Sequence, residues 1–151
     1  MITLIRTDNS NPGFGALIRQ LDTELLGNYK EEQAIYSTYN KVENIDTVVV
    51  AYDDNEAAGC GCFKKFDETS VEIKRMYVAP GKRNLGIASA VLKELETWAA
   101  ELNFSHAVLE TGTKQFEAIR LYQKKGYVIT ENYGQYINMP NSICMKKKLG
   151  L

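Results

Sequence analysis

Val71-Glu72-Ile73-Lys74-Arg75-Met76-Tyr77-Val78, carried through Ala79-Pro80-Gly81-Lys82 into Arg83-Asn84-Leu85-Gly86-Ile87-Ala88, is the stretch that decides the fold. Its first half, bounded by turn residues and rich in β-branched and aromatic side chains, reads as a strand. Pro80 and Gly81 break the chain, and from Ile87 the apolar positions recur at helical spacing. A helix N-terminus presents unpaired backbone N–H groups and a partial positive charge, which together seat a phosphate. Gly86 and Ala88 lack the bulk that would hold a diphosphate off the backbone, and Lys82 and Arg83 add formal charge beside it. The stretch therefore predicts a bound pyrophosphate. The competing reading of Lys82 and Arg83 is a solvated basic turn.

Spacing excludes two common phosphate loops. A P-loop needs Lys-Ser or Lys-Thr directly after its last glycine, and Ile87-Ala88 follows Gly86 instead. A dinucleotide fold needs three spaced glycines early in a βαβ unit, where this turn has one at the critical place. Outward from the corner, Ile87, Val91, Leu95, Trp98 and Leu102 form one apolar stripe, with Lys93, Glu94, Glu96 and Glu101 opposite, so an amphipathic helix packs on a sheet. Ala107 to Leu109 is a buried strand, and a strand-helix-strand crossover of this length implies parallel pairing with residues 71–78. A second helix over about 114–125 ends at Gly126, a suitable left-handed cap. Tyr127 to Thr130 and Ser142 to Lys147 are the last strands.

Upstream, residues 2–6 alternate as a strand, and Pro12 opens a helix with Phe14, Leu17, Ile18, Leu21 and Leu25 inward, stopping near Gly27. Residues 31–40 read as a further short helix. Thr47 to Tyr52, Ala57 to Phe66 and Val71 to Val78 make a meander, its first turn at Asp53-Asp54-Asn55. The class is α/β with a mixed sheet of six to seven strands, antiparallel early and parallel in the middle, flanked by about four helices.

The 151 residues form one domain on this reading, large enough to hide about 70% of the unfolded surface. Apolar residues at 44%, charged residues at 25% and a net charge of −1 are those of a soluble globular protein with no electrostatic footprint for nucleic acid. The apolar runs fall short of the ~20 residues of a membrane span, and the first six residues lack the form of a signal peptide, so a cytoplasmic protein without membrane attachment is expected. Cys60 and Cys62 share a strand face too closely for a relaxed disulfide, and Cys144 is remote, so reduced core thiols are expected, with a nucleophilic Cys62 as the alternative. A single histidine, His106, leaves no metal set at the usual spacings.

A second segment, Gln115-Phe116-Glu117-Ala118-Ile119-Arg120-Leu121-Tyr122-Gln123-Lys124-Lys125-Gly126-Tyr127, joins Arg83-x-x-Gly86-x-Ala88 in a pattern that resembles the GNAT superfamily of N-acetyltransferases. The likeness covers roughly residues 44 to 149, and residues 1–43 match only in layout. It implies acetyl-CoA as co-substrate, no metal, and an amine acceptor that is a small molecule or a peptide. Dimerisation is common in the superfamily, so the likeness also allows a homodimer. The cofactor would lie along Met76, Tyr77 and Val78, whose backbone pairs with pantetheine amides as an added strand would. Its diphosphate would meet Lys82, Arg83, Asn84, Leu85, Gly86, Ile87, Ala88 and Ser89. Gln115 stands where the family often carries a pantetheine-binding Asn, and the change puts that contact in doubt.

Acetyl transfer needs a base for the amine, whose pKa is near 10.4, and benefits from a proton for the departing thiolate. The likeness implies Glu72 as base, six residues before Val78, and Tyr122 as acid near the sulfur. Strict alternation would put Glu72, Lys74, Met76 and Val78 on one face, with Ile73, Arg75 and Tyr77 on the other. The plainer roles are a cross-strand ion pair for Glu72, contributing ~0.2–1 kcal/mol, and a core aromatic for Tyr122. Tyr133 and Tyr136, in the loop before the last strand, would wall the acceptor pocket, as Tyr36 and Tyr39 also could; Glu110 would bind a substrate ammonium or only anchor Thr111. Lys146-Lys147-Lys148 reads as edge protection on a terminal strand. A function of another class, a non-catalytic acyl-CoA sensor or partner-binding domain, would keep the glycine corner but need neither Glu72 nor Tyr122.

Overall fold

Seven strands, three α-helices and a short 3-10 helix (Gly134–Tyr136) account for the regular structure of residues 1–28 and 44–150, the residues described by a computed structural model. They are β1 (Ile2–Thr7), α1 (Pro12–Asn28), β2 (Val48–Asp53), β3 (Glu56–Lys65), β4 (Ser70–Val78), α2 (Ile87–Glu101), β5 (His106–Gly112), α3 (Phe116–Lys124), β6 (Val128–Thr130) and β7 (Ser142–Lys148). The strands form one mixed sheet in the order β1-β2-β3-β4-β5-β7-β6. The helix expected over 31–40, with Tyr36 and Tyr39, lies outside the described residues. No helix among the described residues is long and apolar enough to cross a membrane. Contacts group the chain into two compact units, Met1–Lys64 with Lys74–Leu95, and Lys65–Ile73 with Glu96–Leu151.

In the first unit, Asn11 caps α1 by accepting the Phe14 N–H at 2.9 Å, and Pro12 occupies the first helical position, where no N–H is needed. Phe14 and Leu17 then bury against Val48, Val50, Cys60, Cys62 and Tyr77. β2 and β3 pair antiparallel across Asp54 and Asn55, whose φ values of 49° and 74° give the turn the twist a two-residue hairpin requires. On the opposite side of β3, a Cβ on Gly59 would stand 2.6 Å from Ile87 Cγ2, and one on Gly61 would stand 2.5 Å from Met76 Sδ. Both glycines let α2 approach the sheet closely.

In the second unit, Ser70 to Ile73 pair in parallel with His106 to Leu109, as the crossover implies. β7 lies between β5 and β6 and is antiparallel to both. It holds Cys144 and Met145 fully buried, whereas β6 has only three residues and exposes Val128 and Ile129. The Lys147 ammonium reaches Glu96 of α2 at 2.8 Å. α3 closes as a Schellman motif: Tyr127 N–H donates to Tyr122 O at 2.9 Å and Gly126 N–H to Gln123 O at 3.1 Å, with Gly126 at φ 99°. This cap anchors the backbone at Tyr122.

Candidate active site

β4 carries the first departure from strict alternation. Arg75 has φ 59°, a left-handed value that interrupts the pleat as a bulge does. Before it, Glu72 pairs with Val108, and Val108 with Lys146, so Glu72 faces away from the side on which Lys147 meets α2. After it, Met76 packs by Gly61 beside Val91 and Leu95 of α2, while Tyr77 joins Phe14 and Leu17 in the core under α1. The left-handed residue therefore breaks the strict alternation expected along residues 71–78.

The glycine corner belongs to the first unit. The first intrahelical bond of α2 runs from Ala90 N–H to Gly86 O at 3.1 Å, so the amides of Ile87, Ala88 and Ser89 precede the hydrogen-bonded ladder. Gly81 and Gly86 hold φ values of 86° and 80°, and Asn84 one of 65°. A Cβ on Gly81 or Gly86 would meet nothing within 4 Å, so the backbone lies open to an approaching group. Leu85 is exposed beside them and does not plug the corner. The two basic side chains have acidic partners. Lys82 Nζ donates to Asp53 Oδ2 at 3.1 Å, and Arg83 Nη2 donates to both carboxylate oxygens of Glu24, at 3.0 and 2.8 Å. Arg83 Nε donates to Val78 O at 2.9 Å, and its guanidinium sits 5.5 Å from the Tyr77 ring centre. The Tyr77 hydroxyl also donates to Glu24, and its ionisation is pushed up to about 12 by burial and then by that carboxylate.

The acid-base candidates gather in the second unit. Glu72 is 3% exposed and accepts from the Tyr133 hydroxyl at 2.8 Å. Tyr133 stacks edge-on against Phe66 at 4.8 Å and Tyr136 at 5.7 Å. Their loop is fixed by Asn132, whose amide donates to the carbonyls of Tyr136, Met139 and Ser142. Glu110 lies within β5, not at its end, and accepts from Ser142 Oγ at 2.7 Å. It shares a face with Glu72, since Glu110 pairs with Cys144 and Val108 with Lys146 on the same pair of strands. Tyr122 is buried and edge-on to Tyr127 at 5.7 Å. Burial raises the ionisation of Tyr122, with the Glu110 charge adding to it. Burial likewise raises Tyr133, with Glu72 adding charge and a hydrogen bond, and Tyr136, with Glu110 and Glu72 adding charge. All three phenols stay O–H donors at neutral pH.

Gln115 precedes α3 and makes no side-chain cap. Cys60 and Cys62 are buried in the α1 core, Cys62 Sγ lying 3.4 Å from Lys74 O, and burial raises the Cys60 thiol far above its ordinary range. The sequence reading missed Glu24 and Asp53 as partners of the corner's cations, and Ser142 as partner of Glu110. It placed Tyr133 in a pocket wall without seeing that it meets Glu72. These pairs lie 29 to 61 residues apart, and no local pattern announces them.

A family model described as the acetyltransferase (GNAT) family matches residues 16–127. An IAA acetyltransferase of Azospirillum brasilense is 30% identical over 150 residues, with 98% of each chain covered. The crystal structure of a candidate acyl-CoA N-acyltransferase from Klebsiella pneumoniae superposes with a TM-score of 0.81 at 27% identity, covering 99% of both chains. A GNAT family acetyltransferase from Elizabethkingia anophelis, solved with acetyl-CoA bound, shares the fold at a TM-score of 0.71 and 23% identity, covering 98% of both chains.

Proposed function

The chain belongs to the acetyltransferase (GNAT) family, and from that premise we propose that it moves the acetyl group of acetyl-CoA to a primary amine by direct attack in a ternary complex. The observation that carries this is the open corner at Gly86, where the first amides of α2 stand ahead of the helical ladder and a Cβ on Gly86 would meet nothing within 4 Å among the described residues. Amides of that kind bind a diphosphate well. On this reading the corner from Lys82 to Ser89 holds the diphosphate, the backbone of Met76, Tyr77 and Val78 takes the pantetheine, and Gln115 stands at its far end.

Glu72 serves as the base, directly or through water. Its carboxylate accepts a proton from the attacking ammonium, so that the nitrogen lone pair is free to form the new C–N bond. Tyr133 is a positioning residue, because its O–H orients that carboxylate. A backbone N–H near Met76 or Tyr77 faces the developing oxyanion. Tyr122 acts as the acid toward the leaving sulfur. Its raised ionisation keeps the proton in place, and a phenol above the thiol's usual value of about 8.5 donates a hydrogen bond as the C–S bond breaks. Tyr136 and Glu110 line the acceptor side of the same cluster.

The test is the pH dependence of thiol release by wild type and Glu72→Gln. The variant's kcat/KM falls most at low pH, where the amine most needs a base. A profile of unchanged shape removes Glu72 from the mechanism. Tyr122→Phe slows turnover while CoA affinity stays near wild type, and a wild-type rate would return Tyr122 to the core.

A further inference from the structure

Arg75 is a cation that the mechanism above leaves unused. Its side chain is only 7% exposed, and its backbone holds the left-handed φ of 59°. Arginine adopts such a value rarely, and non-glycine strain of this kind clusters at ligand-binding positions. Nη1 donates to Asp22 Oδ1 at 2.6 Å. The buried Nε has no hydrogen-bond partner among the described residues. A guanidinium presents five donors in a planar fork, and buried donors are almost always satisfied. An unmet Nε–H inside the fold is therefore a place open to an acceptor atom that the described residues do not bring.

The surroundings specify that acceptor. On the α1 side of the strand, Arg75 neighbours Cys60, whose Sγ donates to the Arg75 carbonyl at 3.5 Å, and Asp22, which is itself 47% exposed. Glu24 of the same helix is committed to Tyr77 and Arg83. A cation already half-neutralised by Asp22 suits a monoanion better than a phosphate dianion. The side edge of a guanidinium matches the two oxygens of a carboxylate, a geometry that lysine cannot reproduce. Arg75 also directly precedes Met76, where the pantetheine would end and the thioester begin.

We propose that Arg75 receives the carboxylate of the acceptor, so that the preferred acceptors are amines that also carry a carboxylate, as amino acids do. This rests on the acetyl-transfer reading, and the experiment separates the two. Thiol release from acetyl-CoA is measured with matched pairs that differ only in the carboxylate: glycine against methylamine, L-phenylalanine against phenethylamine, L-lysine against cadaverine. Wild type favours the carboxylate-bearing member in kcat/KM by tenfold or more in at least one pair. In Arg75→Gln that ratio collapses toward one, chiefly through KM, and Arg75→Lys does not restore it. Equal rates within every pair overturn the assignment of Arg75 while leaving acetyl transfer standing. Absence of turnover on every amine overturns the transfer reading instead. In that case binding decides Arg75: with CoA present, N-acetylglycine raises the melting temperature of wild type and its uncharged amide does not. Equal shifts from the acid and the amide, or none from either, overturn the proposal. This last measurement needs no variant, so a misfolded Arg75 substitution leaves it decisive.

Discussion

Arg83 cannot serve Glu24 and a diphosphate equally, and this competition gives a prediction with a calculable size. Its Nη2 lies 2.8 and 3.0 Å from the two Glu24 oxygens, with the side chains 42% and 39% exposed. An ion pair of that exposure contributes ~0.2–1 kcal/mol after solvent screening. Glu24→Gln removes the competing charge, yet its amide oxygen still accepts from Tyr77. At about 1.4 kcal/mol per tenfold, CoA then binds about 1.4- to 5-fold more tightly. The assay is isothermal titration of CoA into wild type and variant at low and high salt. Because the gain is electrostatic, it shrinks as the ionic strength rises from about 0.05 to 0.5 M. Equal or weaker CoA binding by a folded Glu24→Gln at low salt would refute the claim that Arg83 contacts the diphosphate.

Three further outcomes are expected. Gly61→Ala would place a Cβ 2.5 Å from Met76 Sδ and 2.9 Å from Leu95 Cδ1, so it overpacks the α2 face and costs ~1–3 kcal/mol in urea unfolding. An unchanged midpoint would show that Met76 swings aside freely. Tyr133→Phe leaves the buried Glu72 carboxylate without its 2.8 Å donor and lowers stability by ~1–3 kcal/mol, while ring packing on Phe66 and Tyr136 is kept; a wild-type urea midpoint would show that another donor compensates. Alkaline pH destabilises the fold in a definite window. Burial raises the Cys144 thiol to about 11 and lifts Tyr122, Tyr133 and Tyr136 as well. In the unfolded chain these groups release protons from about 8.5 for Cys and about 10 for Tyr. The native state then holds more protons, so stability falls as pH rises. The melting temperature should be flat near pH 8 and fall from about 9 to 11; a constant value to pH 11 contradicts the burial.

Much of the fold follows from short-range pattern. Pro12 behind Asn11, the paired left-handed residues at Asp54-Asn55, and Gly126 closing α3 all sit where turn and cap chemistry put them. The strand read at 71–78 is Ser70–Val78, and the helix read from Ile87 begins there. Each depends on φ preferences and apolar spacing over a few residues. The glycine corner is legible for the same reason, since openness at Gly86 needs only a missing side chain.

What the chain order alone settled about this protein is the main strands and helices of the described residues and the parallel crossover. Tertiary contact decided their arrangement: the left-handed break at Arg75, and β7 inserted between β5 and β6. It also joined Tyr133 to Glu72 and Glu24 to Arg83. Periodicity reports which face of an element is apolar, because that face is set by residues two to four apart. Which polar groups meet inside the fold is set by packing between segments dozens of residues apart, and desolvation makes those meetings matter only after the chain has closed around them.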